Sequence, residues 1–501
     1  MIVVVRVHGR ICPFSERGVM TRITAIGFIL LTSVFSASLL VGADDTWIPL
    51  FDGKTFEGWK ASENQGSFRI EDGAIVCDGP RSHLFYMGKD GAARFKNFEF
   101  TAEVMTTPGS NSGIYFHTEF QDKDWPSKGY ESQVLNSNRA EPGNAYVEHK
   151  MTGSLYAVRN SWKAPTSDNE WFRYRIRVEG KTIRVWINDQ MTVEYTEPET
   201  PFRPNSMKGR VLSTGTFALQ CHDPKSIVRY RNLRVQRLPD NLPTPGTPPA
   251  DLKLEQQLVE LAERNFPLMD LHVHLKEGLT LEQALARARV YGFTYGIAVN
   301  CGLKMTLPNQ QALDQFLKSA ARSPLSYLAM QAEGREWMEL FSKESVKQFD
   351  YVFTDAMTWT NDAGKRMRLW IENEVEVGDP QHFMDMLVDR IEKILNGEPI
   401  DIYVNPTYIP EQIAARYDEL WTTPRMDRVI AALVKNRIAL EINDRRRIPS
   451  PAFIKRAKAA GVKFTFGTNN GGPADLEHLQ YCLDMIKECD LQPADIWIPK
   501  E

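Results

Sequence analysis

Pro239-Asp240-Asn241-Leu242-Pro243-Thr244-Pro245-Gly246-Thr247-Pro248-Pro249-Ala250 carries five prolines in twelve residues. Proline fixes φ and lacks an N–H, so this stretch reads as neither helix interior nor central strand. It reads as a semi-rigid linker, residues 239–250, between two bodies, 44–238 and 251–501. At about 100–200 residues per domain, a chain of this length has room for both.

The two sides of the linker differ in hydrophobic period. Before it, short apolar-polar alternations such as Phe98–Met105, Gly113–His117, Trp171–Glu179 and Thr182–Asn188 are parted by turn pairs such as Asp72-Gly73 and Glu179-Gly180. Many short strands at this spacing predict an all-β sandwich or jelly roll. After it, seven apolar runs begin at Leu268, Tyr295, Leu325, Asp350, Asp401, Ile438 and Lys463. Helical patterns such as Leu281–Tyr291, Gln381–Asn396, Pro424–Lys435 and Pro451–Ala460 lie between most of them. Repeated strand–helix units predict parallel strands, as a barrel or a doubly wound sheet.

Charge excludes one large class of partner. Lys and Arg total 60 against 64 Asp and Glu, so no basic field suggests nucleic acid. With 42% hydrophobic and 25% charged residues, the chain is neither disordered nor a polytopic membrane protein. Ile26–Val41 is an apolar run preceded by Arg22 and followed by Val41-Gly42-Ala43. This predicts a signal peptide cleaved after Ala43, with Met20 a natural start, and hence export to the periplasm or cell exterior. The run is shorter than a comfortable span of about 20 residues, so no integral membrane domain is expected. Cys77 and Cys221 are the two cysteines of the first body and could bridge. Cys482 and Cys489 lie about 10.5 Å apart along a helix, too far to bridge each other.

Residues two apart on a strand share a face. Asn111, Gly113, Tyr115 and His117 therefore fall together, as do Glu131 with Gln133 and Gln220 with His222. Amide, carboxylate and imidazole groups on one face can hold sugar hydroxyls. Tyr115, Tyr156, Trp125 and Trp162 can stack on sugar rings. The wet face of a half-buried sheet would show the same pattern.

Six ordered motifs carry a resemblance. Leu50-Phe51-Asp52-Gly53-Lys54 with Gly58-Trp59 comes first, then Ile70-Glu71-Asp72-Gly73, then Asn111-Ser112-Gly113-Ile114-Tyr115-Phe116. Tyr130-Glu131-Ser132-Gln133-Val134-Leu135, Thr152-Gly153-Ser154-Leu155-Tyr156 and Arg231-Asn232-Leu233-Arg234-Val235 follow. From Trp47 to Leu238 the chain resembles the 3-keto-disaccharide hydrolases, also described as 3-keto-glycoside lyases and hydratases. The resemblance implies a concanavalin-like jelly-roll sandwich and an oligosaccharide or keto-glycoside substrate. A C3 ketone acidifies the C2 proton, so a base can start elimination of the C1 group, and hydration completes a net hydrolysis. The expected base is Glu131 or His222. Gln133, Asn111 and Lys150 are expected to stabilise or orient, with Tyr115, His117, Tyr156 and Gln220 binding substrate. His117 stands where relatives more often have Arg. A divalent metal held by His and Glu could polarise the ketone, although no ligand spacing demands one.

The second body begins with Asp270-Leu271-His272-Val273-His274, whose alternation puts both imidazoles on one side of a strand end. Glu333 in Ala332-Glu333-Gly334, Glu441-Ile442-Asn443 and Phe466-Gly467-Thr468-Asn469-Asn470 extend a resemblance to the polymerase and histidinol phosphatase superfamily. That resemblance implies a distorted (β/α)7 TIM-like barrel with up to three metals and phosphoester hydrolysis. The departures are Asn300-Cys301, Asn405, Asn469 and Gly471, where carboxylate or imidazole ligands are expected. Amides are poor ligands beside those groups. His272, His274 and Glu333, with Asp355, could then hold one divalent ion such as zinc or manganese, and a trinuclear centre is not expected. Asp444-Arg445-Arg446-Arg447 beside the rim could meet an anion or simply be solvated.

Three functions follow as alternatives. The first is an exported enzyme acting on 3-keto-glycosides through the sandwich. The second is a sandwich that binds carbohydrate without turnover. The third places a metal-dependent hydrolase in the barrel.

Overall fold

Antiparallel pairing builds the N-terminal half. In the larger sheet the order is Gln190–Thr196, Thr182–Ile187, Phe172–Glu179, Asn97–Thr106, Ile227–Leu238, Ala74–Asp78 and Phe68–Glu71, with Ile48–Pro49 also paired to Ile227–Leu238. The smaller sheet runs Trp59–Ala61, Ser82–Tyr86, Thr216–Cys221, Ser112–Thr118 and Tyr130–Val134. Phe98 and Phe100 of the first meet Phe116 and Phe217 of the second, with ring centroids 4.8–5.9 Å apart. The two sheets thus share one apolar layer, as the alternation predicts for a β-sandwich.

The computed structural model describes residues 46–139, 146–361, 363–477 and 479–500. The expected signal peptide and its cleavage point lie outside the described residues. Among the described residues no helix is long and apolar enough to cross a membrane. Cys77, Cys221, Cys482 and Cys489 are all buried and unbridged.

In the C-terminal half, seven parallel strands close into a barrel in the order Met269–Val273, Thr294–Cys301, Ser326–Ala332, Tyr351–Thr354, Ile402–Tyr403, Ala439–Asn443 and Phe464–Gly467. Each arises from one of the seven apolar runs. Helix Leu281–Tyr291 starts on a Thr280–Gln283 capping box and stops at Gly292 in the left-handed region, so local chemistry sets both ends. Pro380–Gly397 and Pro451–Ala459 start with proline in the first turn behind an Asp379 or Ser450 cap.

The proline stretch is strapped down along the sandwich. The Asn97 amide donates to the Pro239 carbonyl at 2.8 Å, and Thr244 Oγ1 accepts from Lys181 N at 3.1 Å. Gly246 N donates to Thr182 Oγ1 at 3.1 Å. The barrel also packs directly on the sandwich. Arg159 forms an ion pair with Glu255 of helix Leu252–Glu263, and both side chains are buried. Trp162 enters the barrel's apolar core and donates Nε1–H to the Gly292 carbonyl at 2.8 Å. Lys163 Nζ reaches the Ser326 carbonyl at 2.7 Å, and helix Leu281–Tyr291 lies against strand Gln190–Thr196.

Candidate active site

Strand alternation in the smaller sheet sorts the side chains. Ile114, Phe116, Tyr130, Val134, Phe217 and Leu219 enter the shared core. Tyr115, Glu131, Gln133 and Gln220 take the opposite face and line a cavity of about 390 Å3. Register places Tyr115 opposite Glu131, and Gly113 opposite Gln133.

Glu131 is buried, and every hydrogen bond on its carboxylate comes from a donor. Oε1 accepts from Gln220 Nε2 at 2.9 Å. Oε2 accepts from the Tyr115 hydroxyl at 2.9 Å and Arg210 Nη2 at 3.1 Å. A Cβ at Gly113 would lie 2.5 Å from Glu131 Oε1, so the neighbouring strand makes room for this carboxylate by having no side chain. Gln133 Nε2 donates to Asn111 Oδ1 at 3.1 Å, and both residues line the cavity. Arg210 Nη1 and Gln220 Oε1 are buried with no protein partner. Buried polar atoms are rarely left so. A donor and an acceptor therefore stand ready for a ligand beside Glu131.

Two further groups complete the wall. His222 shares Nδ1 with Asp223 Oδ2 at 2.9 Å. The His222 bond, backed by the Ser226 hydroxyl and the Lys225 amide, holds the Asp223 carboxyl well below the usual range. An ionised carboxylate only accepts, so in the neutral ring Nδ1 carries the proton and Nε2 keeps the lone pair. The His222 ring lies 5.2 Å from Trp125, which is 41% exposed at the cavity edge. Glu148 Oε2 accepts from Tyr146 at 2.8 Å and Tyr156 at 3.1 Å, while Oε1 sits 2.7 Å from Lys150 Nζ. Burial pushes the Tyr156 hydroxyl far above its ordinary range and pulls Lys150 down.

Three expected contributors sit elsewhere. His117 does not join the face of Asn111 and Tyr115. Its φ is +55°, beside an irregularity in the pairing with Thr216–Cys221, and this breaks the alternation. Its ring packs on Phe98, with Nε2 on the Lys96 carbonyl at 2.8 Å and Nδ1 accepting from Ser213 N at 3.3 Å. Lys150 is buried behind Glu148 and holds that residue rather than a substrate. Trp162 belongs to the barrel core and cannot stack on a sugar.

Four residues near the cavity escaped the pattern reading: Arg210, Glu148, Asp223 and His83. Arg210 and Glu148 lie in irregular loops, where no period marks a direction. His83 faces Gln220 across the sheet and is fully buried against Tyr115 and Trp125, with neither ring nitrogen bonded. Strand alternation on Ser82–Tyr86 was the available signal for it.

The barrel's strand ends converge on a polar interior. His272 Nδ1 meets Glu441 Oε1 at 2.6 Å and Nε2 meets Gln331 Oε1 at 3.3 Å. His274 Nδ1 is on the Ala298 carbonyl at 3.1 Å. Glu333 Oε1 accepts from Asn300 and Gln331, and Asp355 Oδ2 accepts from Asn405. Burial and the neighbouring Asp355 charge raise Glu333, and burial raises Asp355. The expected ion at His272, His274 and Glu333 meets no free ligand set here: both His272 ring nitrogens and Glu333 Oε1 are already engaged, while Glu333 Oε2 is left buried without a protein partner. Among the described residues no three His, Cys, Asp or Glu side chains are gathered as metal ligands. Of the rim charges, Arg446 lies over Tyr408 and Arg447 over Tyr481, and Asp444 accepts from Cys482 N.

Comparison with known proteins places matches on the sandwich. Residues 46–236 match the family model described as a 3-keto-alpha-glucoside-1,2-lyase-like domain. A 3-keto-disaccharide hydrolase from Bacteroides thetaiotaomicron is 32% identical over 182 residues, covering 32% of this chain and 61% of the relative. The chain thus spans about three-fifths of that relative's length. Among solved structures, a candidate glycosyl hydrolase from Parabacteroides distasonis aligns with 38% of this chain and 94% of its own at 21% identity, TM-score 0.34. A second candidate from the same organism aligns with 38% and 100% at 23% identity, TM-score 0.30.

Proposed function

We propose that the sandwich cavity cleaves 3-keto-glycosides by elimination at C2 followed by hydration. The observation that carries this is the pairing of an unpartnered Arg210 Nη1 and Gln220 Oε1 with the Asp223-oriented His222 around one cavity. The family match at 46–236 supports the choice of a keto-sugar.

His222 Nε2 takes the C2 proton. The C2–H electron pair becomes the enolate C2=C3, and negative charge moves to the C3 oxygen. Arg210, aimed by Glu131, supplies the positive charge there. Return of that pair re-forms the ketone and makes C1=C2, expelling the C1 oxygen, which leaves with a proton as an alcohol. Water added across C1=C2 gives the free 3-keto-sugar. The proton that His222 took from C2 passes to the leaving oxygen and returns the ring to its neutral form, while Glu148, ion-paired with Lys150, holds the Tyr146 and Tyr156 hydroxyls at the cavity. Asn111, Gln133, Tyr115 and Tyr156 hold hydroxyls and Trp125 offers a ring face at the edge. We also infer an exported protein, and a barrel related to the polymerase and histidinol phosphatase superfamily with an altered or lost metal site.

The test is product analysis by mass spectrometry and NMR, with the full chain and 3-keto-disaccharides of both anomers. His222→Ala is expected to lower kcat by about 10²–10⁴-fold and Arg210→Met by about 10²–10³-fold. No glycal or free keto-sugar from the unaltered protein would sink the reading.

A further inference from the structure

Resting on that reading of the cavity, we propose that Asn265, a residue of the barrel half, is a positioning residue for the sandwich site: it secures Lys150, which fixes Glu148 at the cavity wall. Asn265 follows helix Leu252–Glu263 in the left-handed region, at φ +58°, and is buried. Its side chain is spent wholly on the other half of the molecule. Oδ1 accepts from His149 N at 2.9 Å and Lys150 Nζ at 3.1 Å. Nδ2 donates to the Val147 carbonyl at 2.7 Å.

The chain of contacts runs straight to the cavity. Lys150 is 1% exposed, with Nζ 2.7 Å from Glu148 Oε1 and 4.6 Å above the Tyr156 ring. The second Glu148 oxygen takes the hydroxyls of Tyr146 and Tyr156, and all three residues line the cavity. Charges facing Lys150 are Glu148 and Glu131 from the sandwich and Glu263 from the barrel helix, with His149 adjacent. Burial works against the ammonium, so each oxygen dipole on it counts. Without Asn265 Oδ1, Lys150 releases its proton more readily. Glu148 then loses a fixed counter-charge, and its carboxylate is no longer held at one place in the wall.

Asn265→Gly keeps the left-handed backbone accessible and removes the amide, whereas Asn265→Asp keeps an acceptor at the same place. In the full chain with 13C-labelled lysine, the Lys150 Cε chemical shift across pH, assigned against Lys150→Arg, gives its titration midpoint independently of any substrate. Asn265→Gly is expected to lower that midpoint by about half a unit or more. It should also cut kcat for 3-keto-disaccharide cleavage by about fivefold or more, with KM within about twofold, because an interaction at the reacting centre is lost. Asn265→Asp, which adds a negative charge beside the ammonium, should bring the midpoint back to or above that of the unaltered protein and recover kcat. An unchanged midpoint in Asn265→Gly overturns the proposal. So does a fall in melting temperature in both variants with no recovery of kcat in Asn265→Asp. If the unaltered protein cleaves no keto-glycoside, the functional reading fails, and the Lys150 midpoint alone decides the positioning role.

Discussion

A buried histidine with no protein partner on either ring nitrogen favours its neutral form, and His83 is such a residue. Burial first, then the Arg81 charge, lowers His83 to about 3 from an ordinary 6.5. The unfolded chain binds the extra proton between those values, so stability is intact above pH 6.5 and lost as pH falls through the folded value. The effect is on the order of 5 kcal/mol. His83→Leu should flatten the acid limb of a melting-temperature profile between pH 6.5 and 3, and an unchanged limb would refute the assignment. At this scale the sequence was partly legible. Glu131, Gln133, Tyr115 and Gln220 follow from alternation alone. His117 did not, because one left-handed φ reverses a side chain that the period assigns outward. Arg210 and Glu148 were invisible for a simpler reason, since irregular backbone carries no period from which to read a direction.

Strands and helices were easier to read than their contents. All seven barrel strands arise from apolar runs, and caps such as Thr280 and Gly292 mark where a helix can begin and end. Which strands adjoin is set by tertiary pairing, and that pairing gives Gly113 its role. On strand Ser112–Thr118 a methyl at this position would sit 2.5 Å from Glu131 Oε1. Gly113→Ala should therefore leave the sheet folded, by circular dichroism, while displacing the Glu131 carboxylate and lowering kcat about 100-fold. Activity within a fewfold of the unaltered protein would show that Glu131 is not held in place from this strand. In the barrel the strand-end polar residues were also legible, but the hydrogen bonds that Asn300, Gln331 and Asn405 make to Glu333 Oε1 and Asp355 were not. Those bonds depend on which rotamers meet across strands.

For the molecule as a whole, the proline stretch suggested two bodies on a semi-rigid linker, and the contacts between the halves show them packed on each other. Arg159 and Glu255 form the buried ion pair of that contact. Removing one partner leaves the other charge stranded, which costs about 3–5 kcal/mol, whereas replacing both with apolar groups of like size is nearly neutral. Arg159→Met should thus lower the urea midpoint sharply, and Arg159→Met with Glu255→Leu should recover most of the loss. A double variant as unstable as the single one would mean that packing, not charge, governs the contact. The strap along Asn97, Lys181 and Thr182 bears on the same contact through mass action. A short tether holds its two ends at an effective concentration of about millimolar. A junction of a buried ion pair, the Asn265 amide, a helix laid on a strand and an inserted indole can therefore be weak by the standard of separate proteins and still remain shut, so that Asn265 stays seated on Lys150 through the molecule's fluctuations.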